Sequence, residues 1–178
     1  AHSFPTRRSS DLRPDLLQVL EYAGVDAVAQ ANNHVGDYGP ESVGESIKLI
    51  EDAGITPVGA GVNFSDASRP RYLRAGDTVV GLIGVDSVKK RFRAGKDSAG
   101  TFWLWEGDHD GYVDEIRKQV DEAGRHADLV FLTVHWGGNW KTAPTDSRRR
   151  LAERLVREAG VDAILGHSSH YLHGIQVI

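Results

Sequence analysis

From Arg13 onward, the chain alternates stretches in which apolar residues recur with helical spacing and short apolar runs closed by glycine or proline. Leu16, Leu17, Val19, Leu20 and Ala23 mark one helical face, with Pro14 and Asp15 suited to a first turn and Gly24 to a C-terminal cap. Val25 to Gln30 then reads as a short buried strand and Ala31 to Gly39 as a polar loop. Pro40 opens a second helix, with Val43, Ile47, Leu49 and Ile50 as its apolar positions; Gly54 ends it before a strand over Ile55 to Gly59. Arg71 to Ala75 and Thr78 to Val85 flank Gly76-Asp77, which predicts a hairpin. Further on, Tyr112 to Ala123 is expected to be a helix and Leu129 to Val134 a buried strand. Thr145 to Ala159 follows as a charged amphipathic helix capped by Gly160, Val161 to Leu165 as a strand, and the residues from His173 to the end as a last strand. Residues 86 to 107 show no single period and run from a basic stretch into the aromatic cluster Phe102, Trp103 and Trp105. Strands separated by helices predict an α/β class with a mixed, mainly parallel sheet and flanking helices, to which the hairpin adds an antiparallel portion.

The first dozen residues stand apart from this pattern. Ser3 to Leu12 reads SFPTRRSSDL, has no apolar periodicity, and is similar to the translation of a sequencing adapter. Residues 1–12 are therefore expected to be an unpacked tail and residues 13–178 the domain, with the natural amino-terminal part of the protein missing.

Composition changes the picture by exclusion. The chain has 178 residues, a hydrophobic fraction of 40%, a charged fraction of 26% and a net charge of −4, which is the profile of one globular domain. No apolar run approaches the roughly 20 residues that cross a bilayer, so no membrane span is expected in this segment. The acidic balance argues against a nucleic-acid partner, which normally demands a basic surface. With no cysteine, thiolate zinc sites, disulfides and cysteine nucleophiles are excluded, and any metal must be held by His, Asn, Asp or Glu.

Candidate chemistry sits at the strand ends. Ala23-Gly-Val-Asp-Ala27 leads to Asn32-Asn33-His34, and Ala159-Gly-Val-Asp-Ala163 leads to His167-Ser-Ser-His170. In both copies a helix, a glycine and a strand deliver a polar histidine loop. His135 follows a third buried run. In open α/β sheets the carboxyl ends of strands form the ligand-binding edge, so His34, His135, His167 and His170 are expected to face one cleft. Imidazole and amide donors suit borderline divalent ions such as zinc, manganese or iron.

Asn32-Asn33-His34 with Asp37-Tyr38-Gly39, then His135-Trp136-Gly137, then Gly166-His167-Ser168-Ser169-His170, together resemble the CapA family of poly-γ-glutamate capsule synthesis proteins. The resemblance runs in order from about Arg13 to the end and includes GITPVGA over Gly54 to Ala60. It implies a calcineurin-like metallophosphoesterase architecture, partial here, with Asn33, His135 and His167 as ligands of one divalent metal and His170 contributing to a second. It also implies that His34 faces the scissile group as a catalytic residue; Asp37 either orients His34 or is a turn residue. Two departures matter. Ser168 and Ser169 stand where the family often has His-Pro, and the family's amino-terminal carboxylate motifs and final strand have no counterpart. A central fragment is therefore expected, holding at most one of two ions well.

The other conspicuous residues read more plainly. The Arg148–Arg150 run with Arg154 and Arg157, interspersed with Glu153 and Glu158, is expected to be a solvated helical face, and Lys89 to Arg93 a surface segment. Trp103 and Trp105 are expected in the core or at a protein contact, while Trp136 and Trp140 flank the His135 loop. Two functions from different classes fit. One is a metal-dependent hydrolase of a phosphoester or related anionic substrate. The other is a non-catalytic accessory component that binds polymer or other capsule-synthesis proteins.

Overall fold

The computed structural model describes residues 14–178; the expected tail, Ser3 to Leu12, lies outside the described residues. Helix α1 (Pro14–Tyr22) leads to strand β1 (Ala27–Ala29), helix α2 (Pro40–Asp52), strands β2 (Thr56–Val58) and β3 (Ala60–Gly61), and the short helix α3 (Phe64–Ser68). The hairpin of β4 (Arg71–Ala75) and β5 (Thr78–Asp86) follows, then β6 (Gly100–Thr101), α4 (His109–Ala123), β7 (Leu129–His135), α5 (Asp146–Arg157) and β8 (Ala163–His167).

The main sheet has the order β4-β5-β7-β8. Its hairpin pair is antiparallel, whereas β5, β7 and β8 are parallel neighbours. Because each parallel strand is placed beside the previous one in the same direction, the right-handed crossover rule puts α4 and α5 on one face of the sheet. Side-chain alternation then divides the strands. Ile83, Val85, Leu132 and Val134 point into that layer and are fully buried with Tyr112, Val113 and Ile116 of α4 and Leu151 and Leu155 of α5. The helical members recur one turn apart, which is the spacing that keeps a single face on the sheet. This cluster is the principal core.

Local polar contacts fix where the strands begin. Asp128 accepts the Val79 amide at 2.7 Å, and Asp162 accepts the Val130 amide at 2.7 Å. Each acid sits just before a strand and holds the amide of the second residue of its neighbour, which pins the register. The helix entries are capped in the same way, by Asp108 on the Gly111 amide and Thr145 on the Arg148 amide.

β1 and β2 form a separate parallel pair, and Leu17, Ile50 and Ile55 make a second small core beneath them. Gly59 joins this unit to the main sheet. It has φ 84°, and a Cβ there would lie 2.6 Å from the Gly84 carbonyl oxygen, so only glycine lets the two backbones approach. The carboxyl ends of β1 and β2 are thereby brought to the carboxyl end of β5.

The structure corrects several expectations. No strand forms from His173 onward, where Ile175 and Val177 are almost wholly exposed and no apolar face is buried to hold one. β3, β6 and α3 were not foreseen because two- and five-residue elements leave no readable period. Arg148 leaves the solvated face of α5 to make a bidentate pair with Glu106 at 2.8 and 2.7 Å, while Arg154 stays outside with Glu158 and Asp110. Lys89 to Arg93 contains a 3₁₀ turn, with Lys90 over the Trp103 ring and Arg91 3.7 Å from Asp37.

Candidate metal centre

Strand register builds the first half of the site. Asp86 pairs with His135 across β5 and β7, and His135 pairs with His167 across β7 and β8. Directly opposed residues of adjacent strands project to the same face, so the three side chains form one row at the carboxyl ends of three parallel strands. They lie on the face opposite the principal core. Asp86 is fully buried and His135 is 8% exposed. His135 Nδ1 lies 3.2 Å from Asp86 Oδ1. A carboxylate can only accept, so Nδ1 carries the proton, and in the neutral ring the lone pair is on Nε2. The same carboxylate accepts the Val88 and Lys89 amides at 2.9 and 3.3 Å, which fixes its orientation.

His167 stands beside His135 with ring centroids 5.1 Å apart, and its Nε2 is 3.1 Å from the Thr133 hydroxyl. Burial, reinforced by the neighbouring His135, pushes the His167 pKa down to about 4. The ring is neutral at physiological pH, as a metal ligand must be.

The second half is a loop. After β1, Asn32 Oδ1 accepts the His34 amide at 2.8 Å and shapes the turn. His34 Nδ1 donates to Asp37 Oδ2 at 2.6 Å, and Asn33 Nδ2 donates to His34 Nε2 at 3.3 Å. The His34 side chain is 74% exposed. The Asp37 carboxylate is therefore hydrogen-bonded to the His34 ring. Asn33 spends its amide nitrogen on His34 and leaves its oxygen available.

His170 occupies a third position, stacked on Trp140 at 4.8 Å between ring centroids with φ 59°. The structure thus gathers Asn33, His34 and Asp37 in one cluster and His135 and His167 in another, with His170 against Trp140. Among the described residues, no group of three or more His, Asp or Glu side chains is placed to hold a metal ion. Asp86 escaped the sequence reading altogether. Its signal was present, since it ends an apolar run as His135 does, but an acid at a strand end is easily read as a turn residue.

The two imidazoles fit a divalent cation as far as they go. One is neutral by burial, and the other is held by a carboxylate behind it in the tautomer that frees Nε2. A histidine backed by a carboxylate in this manner is the usual support of a metal ligand.

Residues 4–178 match the family described as "Bacterial capsule synthesis protein PGA_cap", and the chain belongs to that family. Among individual relatives, it is 31% identical over 163 residues to the PGA biosynthesis protein CapA of Bacillus subtilis, covering 90% of this chain and 41% of that protein. It is 29% identical over 171 residues to a Mycobacterium tuberculosis protein named "Probable polyglutamine synthesis accessory protein", covering 93% of this chain and 45% of the relative. The chain spans less than half the length of these relatives. A solved Staphylococcus aureus structure carrying a 5′-nucleotidase name superposes with a TM-score of 0.49 at 15% identity, over 86% of this chain and 33% of that one. A likeness of that size carries nothing about chemistry.

Proposed function

We propose that this chain is part of a capsule-synthesis protein whose complete form is a metal-dependent hydrolase of a phosphoester or related anionic linkage. The observation that carries the reading is the Asp86–His135–His167 row. Two imidazoles, that of His167 neutral by burial and that of His135 backed by a buried carboxylate, stand side by side on adjacent strands at the edge where α/β sheets bind ligands. His135 and His167 would hold one divalent ion, of manganese, iron or zinc, joined by the Asn33 amide oxygen; His170 would serve a second. Bound there, such an ion polarises a phosphoryl oxygen and lowers the pKa of a water.

The chain's own residues supply the rest. Asp86 keeps the His135 proton on Nδ1. Asp37 holds the His34 ring in the same way, through Nδ1, so that His34 Nε2 is the atom that would carry a proton to a leaving oxygen. Arg91, 3.7 Å from Asp37, adds positive charge beside the loop for an anionic substrate.

A second reading has its own support. The mycobacterial relative is named an accessory protein, and no three-ligand group is assembled among the described residues. On that reading the same face binds polymer or other capsule-synthesis proteins without turnover. Hydrolysis of a generic phosphomonoester or phosphodiester by a version extended to the length of the relatives, with and without manganese, separates the two. Manganese-dependent turnover lost in His135→Ala supports the hydrolase. Metal binding without turnover supports the accessory role.

A further inference from the structure

A cleft of about 450 Å³ opens beside the histidine loop. That volume is within the range of small-molecule sites, roughly 300 to 1,000 Å³. One wall is formed by Gly36, Asp37, Pro40 and Val43, and the other by the turn at residues 91–93 with residues 98–100. The two walls are fixed against each other. A Cβ at Gly36 would lie 2.5 Å from the Phe92 ring, so the histidine loop lays bare backbone on that ring. The second wall is also anchored at the strand row, because the Asp86 carboxylate that holds His135 accepts the Val88 and Lys89 amides at 2.9 and 3.3 Å.

The charge on this side of the molecule has one sign. Lys89, Lys90, Arg91, Arg93 and Lys96 fall within eight residues with no acid among them, in a chain whose net charge is −4, and all five are exposed. Arg91 and Arg93 line the cleft itself. The Arg91 guanidinium lies 4.5 Å from the centroid of the Phe92 ring and 3.7 Å from Asp37 Oδ1, and both partners belong to the lining. Arg93 makes no ion pair with another described residue. Asp37 is the one acid of the lining, and its other oxygen already accepts from His34 Nδ1 at 2.6 Å. Two cations therefore face a single carboxylate that is spent on both sides. A guanidinium matches an oxyanion with paired N–H donors, and the lysines beside it add to the attraction.

The geometry points to a subsite for an anionic arm: an oxyanion group, carboxylate or phosphoryl, on a small apolar body, bound by Arg91 and Arg93 in the cleft next to His34. The oxyanion meets the guanidiniums, and the body lies against Pro40, Val43 and Phe92. Asp37 joins Arg91 to His34 through its two oxygens, so an arm held there leads to the imidazole that would protonate a leaving oxygen. The cleft thereby selects esters whose leaving group carries a negative charge of its own. That last assignment rests on the hydrolase reading; the binding of the arm does not.

The test titrates 4-hydroxybenzoate, the product such an ester would release, into the ¹⁵N-labelled 178-residue chain and follows the backbone amides of Gly36 and Ser98. Phenyl phosphate is titrated in parallel, and the tighter of the two names the oxyanion. Both amides should shift and saturate, with neutral 4-hydroxybenzamide binding about tenfold more weakly. Arg91→Gln should weaken binding about tenfold. Lys90→Gln removes the same charge from the same segment outside the cleft and should have a clearly smaller effect. In a version extended to the length of the relatives, with manganese, 4-carboxyphenyl phosphate should show a higher kcat/KM than 4-carbamoylphenyl phosphate, and Arg91→Gln should erase the difference. The subsite is overturned if neither anion gives a saturable shift, if the amide binds as well, or if Lys90→Gln weakens binding as much as Arg91→Gln. Equal kcat/KM for the two esters overturns the leaving-group assignment. Saturable binding with no turnover of either ester counts against the hydrolase reading and leaves the subsite standing.

Discussion

The strand row and the histidine loop hold the same residue type by opposite means. His135 and His167 are set by backbone register, with a buried core beneath them and a buried carboxylate beside them. His34 is set by its own neighbours, Asn32, Asn33 and Asp37, within a few residues of chain and in solvent. Register cannot be changed without dismantling the sheet, whereas a loop held by local hydrogen bonds can be altered cheaply. A preset, desolvated row suits holding an ion. An exposed, tethered imidazole suits moving a proton.

The largest effect should come from beneath the row. Leu132 is fully buried on β7, on the face opposite His135, and Leu132→Ala should destabilise the chain by about 2 to 5 kcal/mol in chemical denaturation. If the row depends on the core as described, the same variant should also lose metal affinity, although Leu132 touches no ligand.

Asp86 gives the next effect and bears directly on the comparison. Asp86→Asn should weaken divalent-ion binding by about 10- to 100-fold and allow the Nε2–H tautomer of His135 to appear in long-range ¹H–¹⁵N spectra. Asp37→Asn should leave His135 unchanged in both measurements. A His135 tautomer indifferent to Asp86 would remove the carboxylate from its supporting role.

A pH dependence separates the two regions again. The folded pKa of His167 lies near 4, below the unfolded value of 6.5. Between these values the unfolded chain binds more protons, so stability falls as pH drops from about 6.5 toward 4 and is recovered above that window. His167→Gln should flatten this part of the stability-pH curve measured by denaturant unfolding.

The smallest effect belongs to the loop. His34→Ala should change stability by no more than about 0.5 kcal/mol, as exposed substitutions usually do, and should leave metal binding intact. In an extended, active form it should lower turnover.

The same division explains what could be read from the chain alone. Long periodic elements such as α4, α5 and β7 were legible because burial repeats along them, and the strand-end histidines followed from their positions. Asp86 was not, because its importance comes from a partner 49 residues away through sheet register. Arg148 was missed for a similar reason: its partner Glu106 lies in a segment without period. The expected common cleft required knowing how the Asn33 loop and the His170 turn bend, and loop geometry leaves no spacing signal. The PGA_cap membership, by contrast, rests on a match that spans residues 4–178.

Calorimetric titration of the 178-residue chain with manganese and zinc, repeated for His135→Ala, His167→Ala and His34→Ala, tests the central claim most directly. The account predicts weak binding of a single ion, lost in His135→Ala and His167→Ala and retained in His34→Ala. Undiminished binding in His135→Ala, or tight binding of two ions by the parent chain, would contradict it.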